Sequence, residues 1–161
     1  MYIKLLVMDV DGTLTDGKIY MGTTSELCKA FNAKDGCGIH DILIPKGIVP
    51  IIITGRESDI VLNRAKELGI SEVYQNVKDK LKKLNEILDT KALTLSHVAY
   101  IGDDINDLSC MEAIKHNSGI VGCPKDAVHD VKRIADFISA KNGGDGAVRE
   151  FIEWIIKHRN S

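Results

Sequence analysis

Short apolar runs recur along the chain and alternate with stretches of helical period. The runs are IKLLVMDV (3–10), VPIIIT (49–54), EVYQ (72–75), HVAYIGD (97–103), GIVGC (119–123) and DFIS (136–139). Runs of this length with little polar alternation predict strands covered on both faces. Between them Val61, Ala65 and Leu68, and then Leu81, Leu84 and Leu88, recur at helical spacing. Strands alternating with helices predict a Rossmann-like α/β fold, a parallel sheet in a three-layer α/β/α arrangement. One segment departs from the alternation. GKIYMG and ELCKAF flank the turn-like GTTS, which predicts a β-hairpin over about residues 17–31, inserted after the first strand. A last helix is expected from Ala147 to about residue 158, with Val148, Phe151, Ile152, Ile155 and Ile156 on one stripe, and KNGGDG before it reads as a flexible hinge. No internal repeat is present, and 161 residues suit one domain over 1–161.

Charge and composition narrow the function. A net charge of −2 and a pI near 6.2 give no basic surplus for nucleic acid or an anionic membrane, so a small-molecule substrate is the default. No apolar run approaches the roughly 20 residues of a membrane span, and the opening YIKLLVMDV does not have the layout of a signal peptide, which predicts a cytoplasmic location. Cys28, Cys37, Cys110 and Cys123 form no C-x-x-C pair and no zinc spacing with the five histidines, and they read as free thiols.

The chemistry sits where strands end. LLVMDVDGTLTDG places Asp9, Asp11 and Asp16 directly after a buried strand. Ligands of open parallel sheets collect at the carboxyl ends of strands. Thr54 ends the second main run, Asp103 and Asp104 end HVAYIGD, and Lys80 opens the helix after EVYQ. The expected site therefore gathers at least three carboxylates, a hydroxyl and an ammonium. Adjacent carboxylates repel unless a cation intervenes, and hard oxygen donors in this number suit Mg²⁺ beside a phosphate. Each residue alone has an ordinary reading: Asp-Gly as a turn, Thr54 as a helix cap, Lys80 as one lysine of the solvated stretch KDKLKK. Four such coincidences at one end of one sheet would leave a carboxylate cluster without a partner.

DVDGT, then ITGR, then the lysine of KDKL, then GDDIND resemble in order the four motifs of the haloacid dehalogenase superfamily of phosphotransferases, over residues 9 to 107. The resemblance implies Asp9 as the nucleophile that forms an aspartyl-phosphate, and Asp11 as the acid and base for leaving group and water. It implies Mg²⁺ on the Asp9 carboxylate, the Asp11 carbonyl and the Asp103 carboxylate, with Asp104 and Asp107 in supporting places. Thr54 and the backbone around Gly55 would hold phosphoryl oxygens, and Lys80 would offset their charge. A phosphoacceptor signalling domain shares the acids, threonine and lysine, but its acidic pair is usually consecutive, unlike the D-x-D here. A non-catalytic oligomerisation module is disfavoured because every key side chain is present.

The gaps between motifs hold only a hairpin and about one α/β unit, so no cap domain is expected. KAFNAKDGCGI, ITGRESDIVLNRAKELGI, YQNVKDKL and GGDGAVREFIE extend the resemblance over nearly the whole chain, to the capless phosphatases of 3-deoxy-D-manno-octulosonate 8-phosphate. It implies a homotetramer whose neighbouring subunits complete each site, with the hairpin and the Gly-rich segment as candidate contacts. A sugar-acid phosphate needs further cations, for which Arg56, Arg64 and Arg149 are candidates, although Arg64 has Asp59 and Glu67 near it in sequence. Related capless enzymes for nine-carbon sialic-type acid 9-phosphates carry TGE where this chain has TGR. The polarity at Arg56 favours the eight-carbon sugar acid.

Overall fold

The computed structural model describes residues 2–158. Six parallel strands form the central sheet: β1 (Leu5–Met8), β4 (Val49–Ile53), β5 (Glu72–Tyr74), β6 (Val98–Ile101), β7 (Ile120–Cys123) and β8 (Phe137–Ile138), in the order β5-β4-β1-β6-β7-β8. β1 is central and pairs in register with both neighbours, Leu5 lying opposite Val49 on one side and Val98 on the other. Its side chains alternate between two separate cores. Leu6 and Met8 join one core, built with α2 (Asp59–Leu68) and α6 (Ala147–His158). Leu5 and Val7 join the other, built with α3 (Lys80–Lys91), α4 (Leu108–His116) and α5 (His129–Ile134). Burial on both faces is why these runs carry so few polar residues. The three-layer expectation holds, and no cap domain interrupts it among the described residues.

The predicted hairpin is present as β2 (Tyr20–Met21) and β3 (Glu26–Cys28), an antiparallel pair closed through Gly22 N–H to the Ser25 carbonyl. A helical stretch that the apolar pattern did not predict follows it. α1 (Ala33–Cys37) runs into a wide turn over Gly38–Leu43 and a tight turn over Ile44–Lys46, ended by Gly47 at φ +73°. Gly36, Gly38 and Pro45 dilute its apolar pattern, and tertiary packing of Ile39 and Leu43 overrides that weak local preference.

The reading of KNGGDG as a hinge is corrected. Gly143 N–H donates to Asp126, and Gly144 N–H donates to the Thr13 carbonyl. A Cβ at Gly143 would sit 1.9 Å from the Gly12 carbonyl oxygen, so only glycine allows the segment to lie against the loop that carries Asp9 and Asp11. α6 then buries Val148, Phe151, Ile152 and Ile155 completely, while Ile156 is only partly covered. Cys110 and Cys123 are core residues whose thiols burial pushes up to about 12 and about 11; Cys28 and Cys37 are exposed. No helix among the described residues is long and apolar enough to cross a membrane.

Candidate functional site

The chain leaves β1 toward β4 and β5 on one side of the sheet, and later crosses to β6 on the other. β1 and β6 therefore flank the point where strand order reverses, the place where such sheets open a crevice. Asp9 follows β1, Thr54 follows β4, and Asp103 lies two residues past β6. A cleft of about 260 Å³ forms there, lined by Asp9, Asp11, Gly17, Thr54, Gly55, Arg56, Asp103, Asp104 and Asn106. Gly17 and Asn106 were not singled out from the sequence.

Lys80, at the start of α3, is almost fully buried beneath the cleft. Its ammonium lies 3.0 Å from Asp9 Oδ1 and 2.8 Å from Asp107 Oδ1. Asp107 is wholly buried and accepts from four donors: Lys80, the Tyr100 hydroxyl at 2.7 Å, and the N–H groups of Asp103 and Asp104 at 3.0 and 3.3 Å. It is thus a saturated anchor. Asp9 Oδ1 also accepts from Val10 N–H, and Asp103 Oδ1 from the Thr13 hydroxyl at 3.1 Å. Gly12 adopts φ +89°, and a Cβ there would meet Asp103 Oδ2 at 2.0 Å, so the glycine of D-x-D-G-T allows both the turn and the approach of Asp103.

One carboxylate oxygen from each of Asp9, Asp103 and Asp107 lies within 4.8 Å of the other two. Burial, then the Asp107 charge, lift Asp9 to about 6 against the opposing pull of Lys80. Burial, then Asp107 and Asp9, lift Asp103 to about 8, with the Thr13 hydrogen bond opposing. Burial also works against the Lys80 ammonium, but the two carboxylates together outweigh it and its pKa is raised. Around the cleft, six carboxylates (Asp9, Asp11, Glu26, Asp103, Asp104, Asp107) face three cations (Lys29, Arg56, Lys80). The excess of acidic groups over cations, on hard oxygen donors, fits a divalent cation such as Mg²⁺. With Asp107 saturated, Asp9 and Asp103 are the carboxylates left to hold it.

Several expected residues lie elsewhere or do other work. Asp16 is exposed and accepts from Lys18 N–H in a local turn. Asp104 lines the rim, but its Oδ1 accepts from Ile105 N–H, capping the turn that leads into α4. Arg64 and Arg149 are corrected as cleft residues of this chain. Arg64 pairs with Glu67 at 2.8 Å, the local pairing its sequence neighbours allowed, and lines a separate crevice with Phe31 and Asp35. Arg149 pairs with Glu153 across one turn of α6 and packs over Gly38. Arg56 is at the cleft as expected, half exposed, 3.8 Å from Asp11 Oδ2 and 3.6 Å from Glu26 Oε2. The cation nearest Asp11 is one the motifs did not point to. Lys29, just past β3, places its ammonium 2.6 Å from Asp11 Oδ1. In the sequence it ends the hairpin edge and opens KAFNAKDGCGI, a segment of the resemblance that assigned it no role.

This fold and site define a hydrolase class, and the chain belongs to the haloacid dehalogenase-like hydrolases, whose family pattern matches residues 65–152. Within that family it is 40% identical over 154 residues to the 3-deoxy-D-manno-octulosonate 8-phosphate phosphatase KdsC of Escherichia coli K12, covering 96% of this chain and 79% of that one. The crystal structure of the Moraxella catarrhalis 3-deoxy-D-manno-octulosonate 8-phosphate phosphatase, in complex with magnesium, phosphate and KDO, superposes with a TM-score of 0.89 at 42% identity, covering 96% and 86% of the two chains. The cobalt-bound deoxy-D-mannose-octulosonate 8-phosphate phosphatase (YrbI) of Haemophilus influenzae superposes with a TM-score of 0.90 at 32% identity, covering 98% and 90%.

Proposed function

We propose that the protein is a Mg²⁺-dependent phosphomonoesterase that hydrolyses 3-deoxy-D-manno-octulosonate 8-phosphate through an aspartyl-phosphate on Asp9. One observation carries the reading: Asp9, Asp103, Thr54 and Lys80 converge where the strand order reverses, beside a cluster of carboxylates whose excess negative charge suits a divalent cation. When bound, the cation supplies charge neutralisation that lets a carboxylate approach a phosphate dianion. Asp9 attacks phosphorus in line, and its second oxygen stays on Lys80. Asp11 gives a proton to the departing alkoxide and takes one from the water that then attacks the phosphoaspartate. Thr54, the Gly55 backbone and Lys80 hold the phosphoryl oxygens, and Asp107 fixes Lys80 from beneath.

A cleft of about 260 Å³ is at the small end for a ligand site, so it takes the phosphoryl end while the sugar acid lies across the rim. Arg56, half exposed there, is the cation for the sugar carboxylate. Association supports closure of so open a site: the hairpin carries Tyr20, Met21 and Leu27 with 40, 59 and 69% of their surface exposed, an apolar patch suited to self-contact. We assign it to a homotetramer, to be checked by analytical ultracentrifugation, and to the cytoplasm, where four free thiols are stable.

The deciding assay is turnover of the eight-carbon 8-phosphate beside a nine-carbon sialic-type 9-phosphate, in the parent and in Arg56→Ala. The eight-carbon ester is the better parent substrate, and losing a charge-assisted contact of about 1.5–3 kcal/mol lowers its kcat/KM roughly tenfold to a hundredfold. Preference of the parent for the nine-carbon ester would overturn the substrate assignment, and absence of metal-dependent hydrolysis would overturn the function.

A further inference from the structure

The hairpin reaches the reaction centre through a contact outside the four phosphotransferase motifs. Lys29 has only 2% of its side chain exposed, and its ammonium bridges Asp11 Oδ1 at 2.6 Å and Glu26 Oε2 at 3.0 Å. Glu26, on β3, also accepts from the Ser58 hydroxyl at 3.4 Å and faces Arg56, so the edge of the hairpin is tied to the loop that follows Thr54. A buried ammonium between two carboxyl groups is a fixed object, because moving it away would leave the ammonium and Glu26 without their partners. Its effect on Asp11 is geometric. Oδ1 is committed to Lys29, while the nearest cation to Oδ2 is Arg56, a residue of the cleft wall, with its Nε 3.8 Å off.

We propose that Lys29 is a positioning residue for the acid–base step, selecting Oδ2 of Asp11 as the oxygen that exchanges the proton with leaving group and water. The assignment rests on the phosphatase reading above. As the Asp9 Oδ–P bond forms and the ester P–O bond breaks, the proton on Asp11 Oδ2 passes to the departing alkoxide oxygen. Asp11, now a carboxylate, accepts a proton at the same atom from the water whose oxygen attacks phosphorus and releases Asp9. Held by Lys29, the carboxylate cannot turn its proton-bearing oxygen away from the leaving group. Seating of the hairpin thereby becomes a condition for protonating a poor leaving group.

The dependence on leaving group tests this. An alkoxide needs the proton, whereas p-nitrophenolate departs without it, and kcat/KM reports only steps up to leaving-group departure. With Mg²⁺ present, Lys29→Met is expected to lower kcat/KM for the sugar-acid phosphate at least about tenfold more than for p-nitrophenyl phosphate. Lys29→Gln, which keeps an N–H donor for Glu26, gives the same direction if the methionine variant does not fold. Lys29→Arg restores much of the ratio. In an Asp11→Ala background Lys29→Met adds no further discrimination, since the group it positions is gone. Equal losses on both esters, or undiminished discrimination in the Asp11→Ala background, would make Lys29 a structural or substrate-binding residue and overturn the proposal. Failure of the parent to hydrolyse either ester would instead overturn the phosphatase reading itself.

Discussion

Replacing Lys80 by methionine keeps the length of the side chain and removes one buried charge from between two others. Each of its contacts, at 3.0 Å to Asp9 and 2.8 Å to Asp107, is a gross attraction of about 6 kcal/mol at an effective dielectric of about 20. Most of that is offset by the cost of burying the ammonium, and the net effect of stranding its partners is about 3–5 kcal/mol. For a chain of 161 residues this corresponds to a fall in Tm of about 6–20 °C. Thermal unfolding in chelator at pH 8 is the assay. At pH 5 the penalty shrinks, because Asp9, pushed up to about 6 even with Lys80 present, is then largely protonated and opposes Asp107 less. Lys80 itself, with its pKa raised, stays charged throughout that window, so the carboxylate is what titrates. Adding Asp107→Asn to Lys80→Met recovers part of the lost stability, since a neutral amide no longer repels Asp9, while turnover stays absent in both variants. An unchanged Tm at pH 8 would refute the view that the ion pair is a closed, dry anchor for the nucleophile.

Two further outcomes follow from the same geometry. Asp9 and Asp103, at about 6 and about 8, both lie above their ordinary unfolded value of about 3.9; in the metal-free protein these two groups favour the folded state most below about pH 4, and that contribution is lost as pH rises through 6 and 8. Mg²⁺ holds both groups ionised, so the rise in Tm on adding Mg²⁺ grows between pH 6 and 8.5, and a constant increment across that window would contradict the raised carboxylates. Truncation after Lys141 removes the five fully buried residues of α6, of which Val148, Phe151, Ile152 and Ile155 are each worth up to several kcal/mol against a total of about 5–15. The shortened chain is expected to lose its near-ultraviolet circular dichroism, and a folded but slow enzyme would show that the segment serves only turnover.

The sheet was legible because burial on both faces leaves runs such as LLVM and VPIII with almost no polar residues, and the convergence of Asp9, Thr54, Lys80 and Asp103 followed from which strand or helix end each occupies. Where neighbouring structure decides conformation, sequence pattern was a weaker guide. The stretch from Ala33 to Lys46 is helical despite Gly36, Gly38 and Pro45, because Ile39 and Leu43 pack into the core. The glycines of KNGGDG look like freedom in one dimension; in three they are the only residues small enough to lie on the Asp9 loop. Arg64 and Arg149 have the right charge for a sugar acid but point along their own helices to Glu67 and Glu153. Lys29 lies in the stretch KAFNAKDGCGI that extends the resemblance but outside the four motifs, and only the fold-back of the hairpin brings it to Asp11.

The central claim is that Asp9 carries the phosphoryl group. Acyl phosphates are reduced by borohydride to the alcohol, so quenching the enzyme with borohydride during metal-dependent turnover of the sugar-acid phosphate converts a phosphorylated aspartate to homoserine, which peptide mass spectrometry locates. The account predicts homoserine at position 9 in the parent, and neither homoserine nor turnover in Asp9→Asn. Homoserine at position 11 or 103, or undiminished turnover by Asp9→Asn, would contradict it.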